Sequence, residues 1–388
     1  MREMAFAKSA SHDVIESEQE LADLIRQIHA ADRVALDTEA DSLHSYREKL
    51  CLLQISAPAV AGIVDAGRVG EESESRRDHR SRVQDDFIVD PLSRLDLEPL
   101  RRALEPREIV LHAADYDLRM LRRGLNFTAS RIFDTVIAAR LLGICEFSLG
   151  ALVKHFFDVE LHKSSQKANW ALRPLPSRMV KYAVDDVHYL LPLAAKLEEE
   201  LERVQRLDWF RQSCARAIEL AAAERERIQD EVWRIGGAGA LDPRTGAVLR
   251  GLWQWREAEA AAANRPPFHI LQNRELLKAA EIFTSGHVPD YKHFSARRRQ
   301  TFREAAKTAL QSPQSAWPVM RRRSGSRPTA EMRRRADQLR ERRDKAAVQL
   351  GLERSFIASR GALEAIAVDP ARAASMLVPW QRELIGVE

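Results

Sequence analysis

Carboxylates in three separate stretches of the chain have the spacing of side chains that can share divalent metal ions. Asp37 ends the apolar stretch VALD (34–37), which predicts a strand, and Glu39 follows two residues later. Alternate residues of a strand point to the same face, so the two carboxylates are expected to project together. Hard oxygen ligands of this kind favour Mg²⁺ or Mn²⁺. Acidic pairs at strand ends are also common as plain loop starts, so the pair by itself indicates little.

A second acidic position follows the apolar stretch IVLHAA (109–114), which predicts a buried strand. Asp117 is the preferred ligand there, because Leu118 and Leu121 give the following helix a buried face. Asp115 is the rival ligand, and an aspartate that merely caps the helix is the structural alternative.

The third position lies in RMVKYAVDDVHYLL, where Tyr182 and Asp186 are four residues apart. On a helix this spacing places a phenol and a carboxylate on one face, one turn apart. Asp185 is also close to Tyr182, so spacing alone leaves both acids open. A surface pair of tyrosine and aspartate is the structural alternative.

The elements that must position these side chains indicate an α/β or α+β domain. Residues 17–29 predict an amphipathic helix with a capping-box pattern at its start. LCLLQIS (50–56) and AVAGIVD (59–65) predict two further strands, so the sheet is expected to begin as a β-meander. From about 133 to 200 the pattern is mostly helical. Together these patterns predict a mixed sheet covered by helices.

Residues 67–86 interrupt this pattern with GRVGEESESRRDHRSRVQDD, which is almost free of large apolar side chains. Such a segment cannot contribute to a core, so we expect a flexible surface insertion.

The back half of the chain differs from the front half in charge. Residues 241–388 contain 27 Lys and Arg against 16 Asp and Glu, whereas residues 1–240 contain 34 against 41. A basic module suits the phosphate backbone of a nucleic acid, and a solvated helical surface is the alternative.

The back half also contains an internal repeat offset by 87 residues. Its identities have helix-like spacing and predict two copies of one small helical module; chance agreement between two helices rich in Ala, Leu and Arg is the alternative. The matching pairs are Leu252 and Leu339, Arg256 and Arg343, Ala260 and Ala347, Ile270 and Ile357, and Leu276 and Leu363.

Length and composition limit the classes of protein to which the chain can belong. With 388 residues and 45% hydrophobic content, the chain is long enough for two or three domains with ordinary cores. It contains no apolar run of the length that spans a membrane and no apolar core of a secretory signal near its start. Its three cysteines are far apart, which predicts neither a disulfide framework nor a zinc site, so a cytoplasmic location is expected.

Taken in order, the acidic positions and the tyrosine resemble the DEDDy group of 3′–5′ exonucleases. The surrounding residues, from about 14 to 205, are similar to ribonuclease D in six segments: VALDTEAD, LCLLQIS, LHAADYDLRML, IFDTVIAARLLG, NWALRPL and YAVDDVHYLLPL. This resemblance implies a ribonuclease H-like fold. The chain departs from the family at Asn169, where the family has an aspartate before the tryptophan.

The repeated modules resemble HRDC domains, the first in LWQWREAEAAAANRPPFHIL and NRELL and the second more loosely, chiefly at Arg343, Leu363 and Trp380. The implied fold is therefore a ribonuclease H-like α/β domain followed by two all-α bundles. The expected ranges are a nuclease domain at 1–210, a helical connector at 211–240, a first HRDC domain at 241–312, a linker at 313–330 and a second HRDC-like domain at 331–388.

By the resemblance, four carboxylates bind two ions of Mg²⁺ or Mn²⁺: Asp37, Glu39, Asp117 and Asp186. Two cations can stabilise both ends of an in-line displacement at phosphorus. Tyr182 is implied to position the attacking water, and a phenol with a usual pKa near 10 is a poor base at neutral pH. The implied function is a 3′–5′ exoribonuclease that releases 5′-monophosphates from RNA 3′ ends, in tRNA precursors or small structured RNAs.

Two other functions remain open from the sequence. One is a catalytically inactive protein that binds nucleic acid through its HRDC modules. The other is a DNA 3′–5′ exonuclease, because the carboxylate set does not discriminate sugars and no sequence motif here reveals a contact to the 2′-hydroxyl. The sequence leaves the oligomeric state and the choice of metal open.

Four further residues are candidates for substrate contact: His112, Lys163, Trp170 and Arg173. Three of them have a structural alternative: a satisfied core histidine for His112, a solvated lysine for Lys163, and a pair with a buried acid for Arg173.

Other residues near the site or in the modules are expected to be structural. Asp134 is expected to cap a helix and His188 to be structural. In the first module, Trp253 could stack on bases, Trp255 is expected in the core and Arg256 is expected to be exposed. The arginines at 321–323 and 333–335 could contact RNA phosphates, and solvated helix faces are the alternative.

Overall fold

The computed structural model describes residues 14–59, 84–161, 165–223, 231–320 and 329–387. Several predicted features lie outside these ranges, namely the strand expected at 59–65 apart from its first residue, the insertion up to residue 83, Lys163, and the arginines at 321–323. None of the described helices combines the length and the apolar character needed to cross a membrane.

A six-stranded mixed sheet carries the candidate site, with strand order β1-β4-β3-β2-β5-β6. The strands are β1 (Val14–Ile15), β2 (Arg33–Ala40), β3 (Leu50–Pro58), β4 (Gln84–Val89), β5 (Glu108–Leu111) and β6 (Arg131–Asp134). β2, β3 and β4 form an antiparallel meander, but its third strand is β4 rather than the strand predicted at 59–65, most of which lies outside the described residues. β5 runs parallel to β2 and to β6. The mixed sheet with flanking helices confirms the predicted α/β class.

Strand β3 lies in the middle of the sheet, and its residues from Leu50 to Ala57 are all buried. Its register places Gln54 opposite Asp37 on β2 and opposite Ile88 on β4. Side chains directly opposite one another share a face of the sheet. Asp37, Gln54 and Ile88 therefore form one row across three strands.

Helices cover both faces and the β6 edge of this sheet. They are α1 (Glu18–Ala30), α2 (Glu98–Leu104), α3 (Asp115–Leu125), α4 (Thr135–Leu141), α5 (Leu149–Phe157), α6 (Ser177–His188), α7 (Leu190–Arg203) and α8 (Leu207–Ala222). The predicted capping box at the start of α1 is present, since Ser17 accepts from the Glu20 amide and Glu20 accepts from the Ser17 amide. Helix α6 packs on β2, β3 and β4, the strands of the row that contains Asp37.

Two predicted boundaries were wrong. The strand predicted at 109–114 ends at Leu111, because Ala113 takes a left-handed backbone conformation with φ of 61°. Residues 84–86, assigned from sequence to the insertion, begin β4 and pair with 56–58 of β3. The prediction relied on apolar content, and these residues have polar side chains. Strand pairing uses hydrogen bonds of the main chain, which polar residues also form.

The helices of the back half repeat with the predicted offset of 87 residues. The first module consists of α9 (Pro243–Ala263), α10 (Pro267–Ile270), α11 (Asn273–Thr284) and α12 (Ala296–Gln311). The second consists of α13 (Ala330–Leu350), α14 (Arg354–Ile357), α15 (Arg360–Val368), α16 (Ala373–Met376) and α17 (Pro379–Ile385). Helices α13 and α14 begin and end 87 residues after α9 and α10, which confirms the predicted repeat.

One buried arginine has the same role in each module. Arg256 donates to the Leu271 carbonyl at 3.2 Å, and Arg343 donates to the Ala358 carbonyl at 3.1 Å. Both residues are almost completely buried, so the prediction that Arg256 is exposed was wrong. The reason is that the guanidinium satisfies a carbonyl group at the end of α10 or α14, where the helix leaves that group without a partner.

The described residues form two compact units. One comprises 14–40, 49–223 and 329–387, and the other comprises 41–48 and 231–320. The second helical module therefore belongs to the same unit as the sheet. Helix α8, which spans the expected boundary at 210, packs on α3, α4 and β6 within that unit.

Trp380 anchors the second module to α8. Its ring stacks on Trp209 with centroids 5.0 Å apart, and its indole N–H donates to the Ser213 hydroxyl at 3.0 Å. The Gln212 side chain accepts from the Trp380 backbone N–H at 3.0 Å. Because the indole is fully buried and its polar atom is satisfied, it contributes both apolar area and a hydrogen bond.

We therefore expect Trp380→Ala to lower the free energy of unfolding by about 3–5 kcal/mol, the usual cost of truncating a buried tryptophan. Urea unfolding followed by circular dichroism measures this change. Val348→Ala, at an exposed position of α13, is the control and should shift stability by no more than about 0.5 kcal/mol. Equal unfolding midpoints for the two variants would contradict the anchoring role.

Candidate metal and active site

Strand β2 presents the first two candidate ligands on one face. Asp37 and Glu39 are two residues apart, as the strand prediction required, and both side chains keep partial access to solvent. One oxygen from each lies within 4.8 Å of the other and of an Asp186 oxygen. Three of the four predicted ligands therefore converge on one point.

Helix α6 supplies Asp186 to this group, and its neighbour Tyr182 lies one turn earlier. The buried face of α6, which includes Met179, Ala183 and Val187, packs against the sheet and fixes the helix in place. The Tyr182 hydroxyl is hydrogen-bonded to the Asp186 carboxylate. Of the two acids that spacing left open, Asp186 lies in the converging group of described residues and Asp185 does not.

Asp117, in the first turn of α3, lies beside this group without belonging to it. Its carboxylate accepts from the Thr38 hydroxyl at 2.5 Å and from the Thr38 amide at 3.1 Å. It is still close enough to raise the pKa of Asp37. The rival Asp115 is exposed and forms an ion pair with Arg119 at 2.7 Å on the surface of the helix.

The position of Asp117 depends on Asp134 at the end of β6. The Asp134 carboxylate accepts from the backbone N–H groups of Ala113 and Ala114, and also from those of Val136 and Ile137 at the start of α4. This confirms the predicted helix cap and adds a second role. The same carboxylate holds the left-handed turn from which α3 begins.

The electrostatics of the acidic group oppose ionisation. Burial, followed by the charges of Asp117, Asp186 and Glu39, raises the pKa of Asp37 well above its usual value. Burial and the neighbouring carboxylates raise the pKa of Glu39 to about 9. Burial raises the pKa values of Asp117 and Asp186 to about 7. A nearby cation removes this penalty, because opposite charge favours the ionised form.

The residues fit a divalent cation. The converging atoms are all carboxylate oxygens, the donor type that Mg²⁺ and Mn²⁺ prefer. Carboxylates this close are stable at neutral pH only when they share protons or bind a cation. The cluster therefore has the chemistry of a divalent metal site.

Arg173 and Trp170 form a structural contact beside α6. The Arg173 guanidinium donates twice to Asp90, at 2.5 and 2.6 Å, and once each to the carbonyls of Trp170, Leu172 and Cys51. These bonds use all five N–H groups that a guanidinium offers. Arg173 thus has no N–H left for a phosphate, and the predicted alternative, a pair with a buried acid, is what the structure contains.

Trp170 is buried, and its ring packs near that of Tyr182 with centroids 6.0 Å apart. Asn169, at the departure from the family pattern, accepts from the Ala171 amide at 3.2 Å. A carboxylate oxygen can accept the same bond, which explains how asparagine is tolerated there.

The two histidines singled out from the sequence are both engaged within the protein. His112 shares a hydrogen bond of 2.8 Å with the Thr135 hydroxyl, and burial lowers its pKa to about 4. It is therefore neutral at physiological pH and cannot pair with a phosphate as a cation. His188 pairs with Asp86 at 2.5 Å, a contact that raises its pKa.

Other predicted contacts fall in the helical modules. Trp255 is in the core of the first module, as predicted, and its indole N–H donates to Thr301 at 2.9 Å. Trp253 is partly buried against the same core. Arg333 and Arg334 are exposed, whereas Arg335 donates to the Ala367 carbonyl.

Thr38 and Asp90 support the site but were not predicted from the sequence, although the position of each indicates a role. Thr38 stands between the two acids of β2, and its backbone N–H and hydroxyl both reach Asp117. Asp90 follows the apolar end of β4 and is buried, so it needed a cationic partner, which is Arg173.

Comparisons with known proteins agree with this geometry. A family model described as 3′–5′ exonuclease matches residues 13–202, and a model described as HRDC domain matches residues 245–283. The first match contains all of the converging carboxylates and Tyr182.

Two curated relatives carry the name ribonuclease D. The protein from Pseudomonas paraeruginosa is 31% identical over 315 residues, which cover 78% of this chain and 76% of that protein. The protein from Sphingobium indicum is 30% identical over 273 residues, which cover 69% of this chain but only 64% of that protein. The chain therefore spans less than two thirds of the length of the Sphingobium relative.

Among solved structures, Escherichia coli RNase D superposes with a TM-score of 0.67 at 21% identity. The superposition covers 97% of each chain. At this identity the likeness shows the fold, including the order of sheet domain and helical modules.

The raised pKa values predict how stability depends on pH without metal. In the unfolded chain these carboxyl groups have pKa values near 4. In the folded protein the pKa values are about 7 for Asp117 and Asp186 and about 9 for Glu39. Between these limits the folded state binds more protons than the unfolded state, so stability falls as pH rises. A divalent cation should restore it.

We expect Mn²⁺ to raise the thermal unfolding midpoint more at about pH 8 than at about pH 6, because more protons must be displaced at the lower pH. Differential scanning calorimetry with and without the ion measures this difference. The double variant Asp37→Asn, Glu39→Gln is the control and should lose the metal response and the part of the pH dependence that comes from Asp37 and Glu39, while Asp117 and Asp186 keep theirs. A metal response that persists in this variant would place the ion elsewhere.

Proposed function

We propose a function from one premise: this chain belongs to the ribonuclease D family of 3′–5′ exonucleases. It removes nucleotides one at a time from RNA 3′ ends as 5′-monophosphates. The observation that carries the proposal is the convergence of Asp37, Glu39 and Asp186 within 4.8 Å, with the Tyr182 hydroxyl on Asp186.

Asp37, Glu39 and Asp186 form a close group of proposed ligands, and Asp117 lies beside it. The close group would hold one divalent ion, and Asp117 would contribute to binding a second. Mg²⁺ or Mn²⁺ bound there supplies stabilisation of charge on the attacking and leaving oxygens. Thr38 keeps the Asp117 carboxylate directed towards β2, so its two hydrogen bonds serve the site.

Tyr182 orients the attacking water. Burial and the neighbouring charges of Asp186 and Glu39 raise its pKa above the usual value for a phenol, so it keeps its proton at neutral pH. A hydroxyl that keeps its proton can donate and accept hydrogen bonds but cannot act as the base. The Asp186 carboxylate fixes its direction, and Trp170 packs beside the ring.

Charge supports a nucleic acid as the substrate. The region 241–388 contains 27 Lys and Arg against 16 Asp and Glu, and Arg297, Arg303 and Lys307 are exposed on α12. The Escherichia coli neighbour is described as an exoribonuclease involved in structured RNA processing. We extend that class to this chain and propose tRNA precursors or small structured RNAs as its substrates.

The remaining expectations stand as part of the proposal. The domain ranges are those given from the sequence, and Lys163 and His112 are the candidates for substrate contact, with His112 as a neutral group. Trp170 and Arg173 act through Tyr182 and the loop before α6 rather than on phosphate. A cytoplasmic location is supported by three cysteines that form no disulfide with one another.

We expect Asp37→Asn to abolish mononucleotide release from a 3′-labelled single-stranded RNA in Mg²⁺, because one ligand loses its charge, while RNA binding stays within about twofold. Denaturing gel electrophoresis measures release and fluorescence anisotropy measures binding. Asp115→Asn, at the exposed position on α3, is the matched control and should cut normally. Release by Asp37→Asn at the wild-type rate would overturn the ligand assignment.

The same assay distinguishes the other functions. A wild-type protein that binds RNA tightly and releases nothing would act through its modules alone. A matched 3′-labelled DNA strand tests sugar preference directly, and faster release from DNA than from RNA would make the chain a DNA exonuclease.

We expect Tyr182→Phe to lower kcat by about 10²-fold, the scale of losing one positioning contact, with Mn²⁺ affinity unchanged. Single-turnover kinetics and isothermal titration calorimetry separate the two quantities. A loss of metal affinity equal to the loss of rate would mean that the hydroxyl supports Asp186 rather than the water.

A further inference from the structure

Gln54, in the central strand β3, has a buried side-chain amide without a hydrogen-bond partner among the described residues. Its side chain has no exposure to solvent, and neither its Nε2 nor its Oε1 has a hydrogen-bond partner among the described residues. A buried amide without partners costs free energy, so a purely structural position in a well-packed sheet is better filled by an apolar side chain.

The register of the sheet identifies the neighbour that Gln54 faces. Gln54 pairs directly with Asp37 on one side and with Ile88 on the other. The positions two residues before and after it on β3 pair with Glu39 and Ala35. Directly opposite side chains have Cβ atoms about 4.5–5.5 Å apart, within reach of a glutamine amide.

The rest of the surroundings of Gln54 are apolar. Leu52 precedes it by two residues on the same face, and with Ile88 it packs against Met179 and Ala183 of α6. Asp37 is therefore the one polar side chain directly opposite Gln54 in the row across β2, β3 and β4. The amide is enclosed by an apolar wall on one side and the acidic group on the other.

We propose that Gln54 is a positioning residue for Asp37: when a divalent cation occupies the acidic group, the unpaired Gln54 Nε2 donates to the ionised Asp37 carboxylate and holds it in the orientation that binds the cation. This inference rests on the proposed metal site and names a residue that supports it. An ionised carboxylate has about four lone-pair sites, so it can bind a cation and still accept an amide hydrogen. Partners of metal ligands fix their orientation and raise their affinity for the ion.

Thr38 provides a parallel for this arrangement on the other face of β2. There Asp117 is held by a hydroxyl and a backbone amide, at 2.5 and 3.1 Å. Asp37 has a backbone contact with Thr38. Gln54 is the residue of β3 directly paired with Asp37, so its amide is placed to add a side-chain donor.

The proposal predicts opposite effects of one substitution on stability and metal binding. Gln54→Met keeps the length of the side chain and removes both polar atoms. Without metal, it should raise the thermal unfolding midpoint by about 2–4 °C, because a buried unsatisfied amide is removed. It should weaken Mn²⁺ binding by about 10- to 100-fold, the usual effect of losing a partner of a metal ligand.

Ser56→Ala is the matched control. Ser56 lies two residues along β3 on the same face, and its buried hydroxyl also has no partner among the described residues, but it pairs with Ala35 and Asp86 rather than with a proposed ligand. Its removal should leave Mn²⁺ affinity unchanged. Isothermal titration calorimetry and the electron paramagnetic resonance signal of free Mn²⁺ measure affinity without any turnover.

Equal Mn²⁺ affinity in Gln54→Met and wild type would overturn the proposal, as would equal weakening in Ser56→Ala. If Gln54→Met does not fold, Gln54→Asn replaces it; this variant keeps the amide but shortens its reach, and wild-type affinity in it would also overturn the proposal. Failure of the metal site itself is distinguishable. Wild type and Asp37→Asn would then bind Mn²⁺ equally poorly, and both proposals would be wrong.

Discussion

Mutual repulsion of buried carboxylates is the constraint on which the rest of the molecule depends. Asp37, Glu39 and Asp186 bring oxygens within 4.8 Å of one another, and Asp117 adds its charge from the side. Burial, together with the charges of Asp186 and Asp117, raises the pKa of Glu39 to about 9, so without a cation the group binds protons instead of ionising. The fold must hold the carboxylates together against this repulsion until a cation compensates for it.

The scaffold meets this demand with main-chain geometry and a few polar contacts. The alternation of side chains along β2 places Asp37 and Glu39 on one face. The apolar face of α6 packs on the sheet and so positions Asp186. Asp134 holds the turn from which α3 begins. Arg173 donates all its side-chain hydrogen bonds to Asp90 and to three backbone carbonyls. These bonds fix the loop that places Trp170 beside Tyr182. The four carboxylates come from three packed elements, β2, α3 and α6.

Much of this could be predicted from the sequence because the ligands lie on regular elements. Spacing on a strand and on a helix indicated Asp37, Glu39 and Tyr182 but left Asp185 and Asp186 both open, and the family resemblance selected Asp186. The offset of 87 residues predicted the second module. What could not be predicted depends on pairing between distant segments. The register that sets Gln54 against Asp37, and the burial of Arg256, follow from tertiary packing that local periodicity does not encode.

Diffraction at the manganese absorption edge, from crystals grown with Mn²⁺ and a nucleoside 5′-monophosphate, tests the central claim most directly. We expect two anomalous peaks about 3.5–4 Å apart, both bound by oxygens of the four carboxylates, with the nucleotide phosphate bridging them beside Tyr182. A nucleotide bound with no manganese peak at Asp37, or with its phosphate remote from Tyr182, would contradict the account.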